Sequence, residues 1–312
     1  MKHGVLLLVL LAIPGDAPAQ TTQTTFEFHN SLWVNLHHTL YNQSWVARAG
    51  RPPDLAALSP AEVADWNEAL KYYGVSLINH EFVEVGMGRI NGALARAGNA
   101  ASLGSPPELS KDLSAVLEKA AAIYRAHWWP DHERKNREWI AEATPLVGKY
   151  ESALKPALVR AFDTAWQKGP IHVEMSYYVT GASAYTAIFP TLITVSSSSQ
   201  RSVGPAMVEV LFHESSHALV VKARDELTKE AKSRKKDLPY PDLWHALLFY
   251  TNSEIVKKQI PELEPYPAKY GMWENTWPLA LPVFEKDWKP FLEGNRNFHN
   301  AIKQVVDDLP KS

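Results

Sequence analysis

The chain has 312 residues, of which 46% are hydrophobic and 21% charged, the composition of a folded globular protein rather than a disordered one. Its formal net charge of −2 argues against a sequence-independent nucleic-acid binder, because such proteins need a basic excess. The chain contains no cysteine, so disulfides, thiolate metal sites and cysteine nucleophiles are excluded. Any bound metal must therefore be held by histidine, aspartate or glutamate.

Residues 1–19 have the pattern of an export signal. Lys2 precedes an apolar run over residues 5–13, and the small residues Ala17 and Ala19 supply a cleavage pattern. We therefore expect a mature chain that is secreted or periplasmic. The alternative is an uncleaved helix at a membrane interface. The run is too short for a stable membrane anchor, and no later stretch is apolar over the length that a membrane span needs.

Residues 20–168 are expected to form a helical N-terminal region. Apolar residues at helical spacing predict a helix over residues 30–45, and the pattern of residues 59–62, Ser-Pro-Ala-Glu, is typical of a helix start with a capping box. Further helices are predicted over residues 79–97, 110–126 and 131–166, the last of them broken at Pro145. His29, His37 and His38 show no ligand spacing with a nearby acid, and no function is assigned to them.

Residues 169–312 are expected to form a second region that begins with a small sheet. β-Branched and aromatic residues predict strands over residues 171–179, 184–189 and 192–198. Helices are predicted over residues 204–224, 242–258 and 282–309. The expected fold is therefore mainly α with a small mixed or antiparallel β-sheet, in the α+β class.

His213, Glu214 and His217 form an HExxH motif on the predicted helix over residues 204–224. Histidines four residues apart lie on one helical face, with Cβ atoms about 5–6 Å apart, so both rings can bind one zinc ion. Glu214 lies beside them, where it can take a proton from the attacking water. We therefore predict one Zn²⁺ ion with His213 and His217 as ligands and Glu214 as general base. The alternative is a pair of core histidines, which would leave buried polar groups without partners.

Strands followed directly by an HExxH helix resemble the arrangement of the zincin metallopeptidases. The resemblance covers residues 171–258 and is to the gluzincin branch, because Val220 and Ala223 replace the glycine and histidine that extend the motif in another branch. It implies a zincin-like fold and a zinc ligand from a glutamate on a downstream helix. The texture of the chain is similar to that of a secreted bacterial branch of these enzymes, whereas the residues before Ile171 resemble no family.

Glu254 is the predicted third zinc ligand. On the predicted helix over residues 242–258 it shares a face with Leu247 and Tyr250, so its carboxylate is expected on the buried side. His245 is the next candidate. Because His245 lies about 180° from Glu254 around the helix, the two cannot bind the same ion from a regular helix.

A hydrolase of this kind also needs a donor for the oxyanion that forms on the scissile carbonyl. Tyr266 is the predicted catalytic donor, because Pro265 and Pro267 would hold it stiffly. Tyr270 and His245 are alternatives, and the tyrosines could equally be packing residues. The predicted strand over residues 184–189 is a candidate edge for pairing with an extended peptide, or a plain sheet strand.

The sequence thus predicts a secreted zinc-dependent metallohydrolase, a peptidase acting on peptide or protein substrates. Two alternatives stay open. The first is a secreted binding protein whose zinc site is structural or vestigial. The second is a carbohydrate-binding helical domain that uses some of the 11 tryptophans. No nucleic-acid partner and no membrane span are expected.

Overall fold

The computed structural model describes residues 25–188 and 191–310, so the predicted export signal lies outside the described residues. The strands are β1 (Phe26–His29), β2 (Ile171–Ser176), β3 (Ala184–Ile188) and β4 (Thr191–Ser196). Five helices lie between β1 and β2: α1 (Leu32–Arg48), α2 (Pro60–Ser76), α3 (Val85–Ala97), α4 (Lys111–His127) and α5 (Trp129–Phe162). After β4 come α6 (Ala206–Ser216), α7 (Val221–Ser233) and α8 (Leu243–Gln259).

The C-terminal part of the described chain is a series of short helices. These are α9 (Tyr266–Lys269), α10 (Met272–Asn275), α11 (Ala280–Val283), a π-helical segment (Phe284–Trp288), α12 (Lys289–Leu292) and α13 (Phe298–Asp308). The prediction of one continuous helix over residues 282–309 is therefore wrong. The break follows α12, where Gly294 has φ +83° and Asn297 caps α13 through the backbone N–H of Asn300.

The predicted fold class, mainly α with a small β-sheet, is confirmed. The sheet is mixed, with strand order β1-β2-β4-β3: β1 and β4 run parallel to β2, and β3 runs antiparallel to β4. The edge strand β1 was not predicted, because four residues are too few to show a convincing alternation. β3 is the other edge, as the sequence analysis suggested for this strand.

The sheet lies between two hydrophobic cores. The N-terminal core, built mainly from α1–α4, covers the face that carries Tyr185. The C-terminal core, built from α5, α6, α8 and the last helices, covers the face that carries Val173 and Ile193. In β3, Ala184 enters the C-terminal core and its neighbour Tyr185 enters the N-terminal core, because successive side chains of a strand point to opposite faces. Helix α5 belongs to the C-terminal core, although the sequence analysis grouped it with the N-terminal region.

Several helix boundaries follow the predictions and others do not. Ser59 and Glu62 form the predicted capping box at the start of α2. The predicted break at Pro145 is wrong, because α5 continues through it. Pro145 lies on the exposed face, where the carbonyl group that loses its helical hydrogen bond can be hydrated. Helix α3 begins at Val85 rather than at residue 79.

The HExxH helix is also shorter than predicted. Helix α6 ends at Ser216, and residues 217–220 form a tight turn before α7. In this turn the His217 N–H bonds to the Glu214 carbonyl, three residues back, so His217 stays on the helical path of α6. Among the described residues, no helix combines the length and the apolar character that crossing a bilayer requires.

Candidate metal centre and active site

Helix α6 carries the motif between the sheet and α8. All residues from Met207 to Ser216 are buried, because the apolar run before the motif packs in the C-terminal core. Phe212, for example, meets Phe26 of β1 edge to face, with ring centroids 5.4 Å apart. The helix is thus fixed against the sheet on one side, and His213 and His217 face a cleft on the other.

Three histidines come together at this cleft: His213, His217 and His245. One ring nitrogen of each lies within 4.8 Å of the other two, and the Nε2 atoms of His213 and His245 are 3.3 Å apart. Two nitrogens bound to one tetrahedral zinc at 2.0–2.1 Å would be about 3.3–3.4 Å apart. The ring planes are inclined by 47° and 86° rather than stacked. The donor set and its spacing therefore fit a zinc ion.

Glu254, the predicted third ligand, does not lie with these histidines. Its carboxylate is 3.7 Å from Lys289 Nζ, and its side chain is 33% exposed. The prediction assumed that the apolar face of α8 is the face toward α6. Helix α8 is buried on several sides, so its apolar residues do not mark that face. His245 occupies the position that the sequence analysis gave to Glu254, and it becomes the candidate third ligand.

The three imidazoles are uncharged at neutral pH. Burial lowers the pKa of all three, to about 4 for His245; burial together with the neighbouring rings lowers the pKa of His217 to about 3 and that of His213 well below its usual range. The Nδ1 atom of His213 has no hydrogen-bond partner among the described residues. Neutral imidazoles with free lone pairs are the form of histidine that binds metals.

Glu214 lies beside the histidines and is buried. Its Oε2 accepts a hydrogen bond of 2.6 Å from Thr186 Oγ1 on β3, and it is 3.8 Å from His217 Nε2. Burial raises the pKa of Glu214 to about 7, and the Thr186 hydrogen bond acts in the opposite direction. The carboxylate is thus held next to the candidate ligands by a side chain from the edge strand.

Tyr266 lines the same cleft, at the start of α9. Its ring stacks on Phe249, with centroids 5.9 Å apart, and Phe249 packs against the His213 ring at 4.0 Å. Its hydroxyl oxygen accepts a hydrogen bond of 3.3 Å from Arg201 Nη1. The guanidinium of Arg201 also lies over the ring of Tyr270, 4.7 Å from its centroid. The structure therefore brings both candidate tyrosines to the cleft, and the role of Tyr266 stays a prediction.

Glu209 fixes Tyr266 in this position. Its two carboxylate oxygens each accept from the backbone N–H of Tyr266 at 3.0 Å, and Oε1 also accepts from Ser253 Oγ at 2.9 Å. The Asn252 amide donates to the Glu209 carbonyl at 3.0 Å. One residue of α6 thereby joins α6, α8 and α9. Sequence reasoning missed Glu209, although a carboxylate one turn before His213, within an apolar run, was a signal for a buried anchoring group.

The cleft has a volume of about 930 Å³. Strand β3 and helices α6 and α8 form most of its wall, and residues of the segment 81–89, whose Phe82 and Met87 belong to the N-terminal core, also line it. Aromatic side chains line much of it, including Trp244, Phe249 and Trp277. Thr186 and Arg201 belong to this site as well, but nothing in their sequence neighbourhood marks them.

Two further histidines, His127 and His132, lie outside the cleft and pack between helices. His132 is buried at the corner between α4 and α5, where Nδ1 lies 2.9 Å from the Tyr124 hydroxyl and the ring stacks on Tyr177. His127 Nε2 pairs with Glu62 at 2.9 Å. Residues 127–133 thus form a corner between α4 and α5.

Comparison with known proteins adds no family to this description: no family model, no curated protein and no solved structure matches the chain. The resemblance to the zincins therefore rests on the motif and its neighbouring strands.

Proposed function

We propose that this chain is a zinc-dependent hydrolase of the peptidase class, with His213, His217 and His245 as ligands and Glu214 as general base. The observation that carries the proposal is the third histidine. His245 reaches the HExxH histidines from α8, a separate helix. One of its ring nitrogens lies within 4.8 Å of a ring nitrogen of His213 and of His217, at the wall of the cleft. This is the three-ligand set of catalytic zinc sites, which leave one coordination position for water or substrate.

A zinc ion held by these residues would supply Lewis acidity, which polarises a carbonyl group and acidifies water. The chain's own part in hydrolysis is proton transfer. The carboxylate of Glu214 takes a proton from the attacking water and gives it to the leaving amine nitrogen as the C–N bond breaks. The hydrogen bond from Thr186 keeps the carboxylate oriented beside the ligands, since it reaches the same oxygen that faces His217.

The edge strand supports a peptide as the substrate. Among the residues that the structure describes, strand β3 pairs with β4 on one side only, and residues 184–188 line the cleft. An extended peptide can form backbone hydrogen bonds with such an edge, which selects for an extended chain rather than for particular side chains. The aromatic residues of the cleft provide apolar surface for the substrate side chains.

Tyr266 and Arg201 are the proposed donors to the oxyanion. Because the Tyr266 oxygen accepts its hydrogen bond from Arg201, the hydroxyl proton stays available for donation into the cleft. The Glu209 anchor keeps the tyrosine backbone fixed, so the donor is organised before substrate binds. With the predicted export signal, we further propose that the protein acts in the periplasm or outside the cell.

The test is a metal analysis combined with a peptide-library cleavage profile of the purified chain, with and without a chelator. We expect zinc to copurify, cleavage to occur, and cleavage to disappear with chelation and return with added zinc. A secreted binding protein with a structural zinc site would instead hold zinc and cleave no peptide. Cleavage that persists in the metal-free protein would contradict the proposed mechanism.

A further inference from the structure

A second group of potential metal ligands lies on β1 and β2. His29, His172 and Glu174 each offer a ligand atom within 4.8 Å of the other two. His29 and Glu174 are register partners in the parallel strand pair, and His172 lies two residues before Glu174. All three side chains therefore project from the same face of the sheet. The register of two paired strands, rather than flexible surface loops, brings them together.

Glu174 is the residue that makes this group unusual. Its side chain is 0% exposed. Oε1 accepts from Ser31 Oγ at 3.0 Å and lies 2.6 Å from His172 Nε2, but Oε2 has no hydrogen-bond partner among the described residues. His29 Nε2 is also buried, and no described residue hydrogen-bonds to it. A wholly buried carboxylate with a free oxygen favours a bound cation, because an uncompensated buried charge is costly.

We propose that His29, His172 and Glu174 bind a divalent transition-metal cation, distinct from the one proposed for the cleft. Two imidazoles and a carboxylate are a ligand set that suits zinc. Glu27 Oε1 lies 3.5 Å from His29 Nε2 and can serve as a fourth ligand. Four protein ligands would make this a closed, structural site.

Binding requires one ring to turn. The His29 and His172 rings are stacked, with centroids 3.8 Å apart and planes inclined by 6°, so their lone pairs do not converge. Their side chains are 34% and 35% exposed, which leaves room to rotate about the Cβ–Cγ bond and a route for the ion from solvent. The rotation would exchange ring stacking for coordination.

The position of the group argues for a structural role. In the strand order, β2 is two strands and β1 three strands away from β3, which is about 10–14 Å at the usual strand spacing. Ions in two-metal catalytic sites are about 3.5–4 Å apart, so this ion could not form a two-metal centre with one bound at the cleft. It would instead hold the edge strand β1 to β2 and, through Ser31, the start of α1.

The test is zinc titration of the metal-free chain, with stoichiometry measured calorimetrically and by elemental analysis. We expect two equivalents for the unaltered chain and one for the triple variant His213→Asn, His217→Asn, His245→Asn, which isolates the second site.

In that triple variant, zinc at about 100 times Kd should raise the melting temperature by about 5 °C. Adding His29→Gln or His172→Gln should abolish both the binding and the rise, and adding His80→Gln, an exposed histidine paired with Glu84, should change neither.

Two results would overturn the proposal. One is a triple variant that binds no zinc, which would mean that His172 alone balances the charge of Glu174. The other is an equivalent that persists with both His29→Gln and His172→Gln, which would place it elsewhere. Because the readout is binding in a protein without the cleft histidines, it does not depend on peptidase activity. Glu174→Gln is a less useful variant, since it changes a wholly buried group and can alter folding.

Discussion

The histidines of the cleft and the histidines of β1 and β2 lie toward opposite edges of one sheet, in different surroundings. In the cleft, three inclined rings meet beside a cavity, and the nearby carboxylate of Glu214 is held by Thr186. On β1 and β2, two rings are stacked, and one of them contacts a wholly buried carboxylate directly. The first arrangement leaves room for a substrate, and the second fills its space with protein groups. We therefore assign the proposed catalytic role to the first group and the proposed structural role to the second from their surroundings rather than from their residue types.

The largest effect is expected for His245→Gln, because the third histidine distinguishes the cleft group from a bare HExxH pair. Loss of a ligand should weaken zinc binding at the cleft by more than about 100-fold, beyond the 10–100-fold typical of losing a partner behind a ligand. Peptide cleavage at limiting zinc should fall with it. Glu254→Gln is the matched control on the same helix and should change neither property. Equal zinc loss in both variants, measured by titration, would restore Glu254 as a candidate ligand.

Glu214→Gln tests whether the cleft site is catalytic. The amide cannot accept the proton, so kcat should fall by about 10²–10⁴-fold while zinc content stays the same. The measurement is steady-state cleavage of a library-selected peptide, with metal content determined on the same sample. Full activity in this variant would show that Glu214 is not the general base. The cleft histidines would then have no assigned proton acceptor, like the group on β1 and β2.

Tyr266→Phe tests the oxyanion donor with a smaller change. Removing one donor of this kind costs about 10²-fold or somewhat more in kcat, with little effect on KM. Tyr270→Phe is the matched control, because this tyrosine lies under the same guanidinium but is not proposed to donate. If the two variants lose activity equally, both tyrosines act through packing.

The smallest effect is expected for buried histidines outside the two metal-binding groups. They show how burial without a metal changes the pKa of an imidazole. Burial lowers the pKa of His38 and of His132 to about 4. As pH falls below about 6.5, the unfolded chain binds protons that the folded chain does not, so stability present at pH 7 is lost toward pH 4. The free energy of unfolding should fall by about 2 kcal/mol per histidine between pH 7 and pH 5.

Urea unfolding of the triple variant used above measures this effect without the cleft histidines. Adding His132→Gln should reduce the slope of the free energy of unfolding against pH. An unchanged slope would show that His132 is protonated in the folded state.

Much of the fold followed from local sequence signals. The capping box at Ser59 and the strands that precede the motif depend on residues close together in the chain. The geometry of the HExxH motif is likewise local, because residues four apart, such as His213 and His217, lie on the same face of a helix. Such features need no knowledge of distant contacts, which is why they could be predicted.

The parts that could not be predicted depend on contacts between distant segments. His245 and Glu254 were both on the correct helix, but only the packing of α8 among several neighbours decides which of them faces α6. β1 exists because Phe26 and its neighbours pair with β2, about 145 residues later. The group on β1 and β2 was missed for the same reason: its histidines gain a neighbouring acid only when those strands align.

The anchoring of Glu209 has a consequence for how the width of the cleft can change. The carboxylate of Glu209 on α6 is hydrogen-bonded to α8 and α9, so these three helices resist displacement relative to one another. Among the described residues, segment 81–89 forms no hydrogen bond to α6, α8 or α9, and it meets the cleft through β3, where Phe82 stacks on Tyr185. Changes in the width of the cleft should therefore arise at segment 81–89, while the residues of α6, α8 and α9 keep their positions relative to one another.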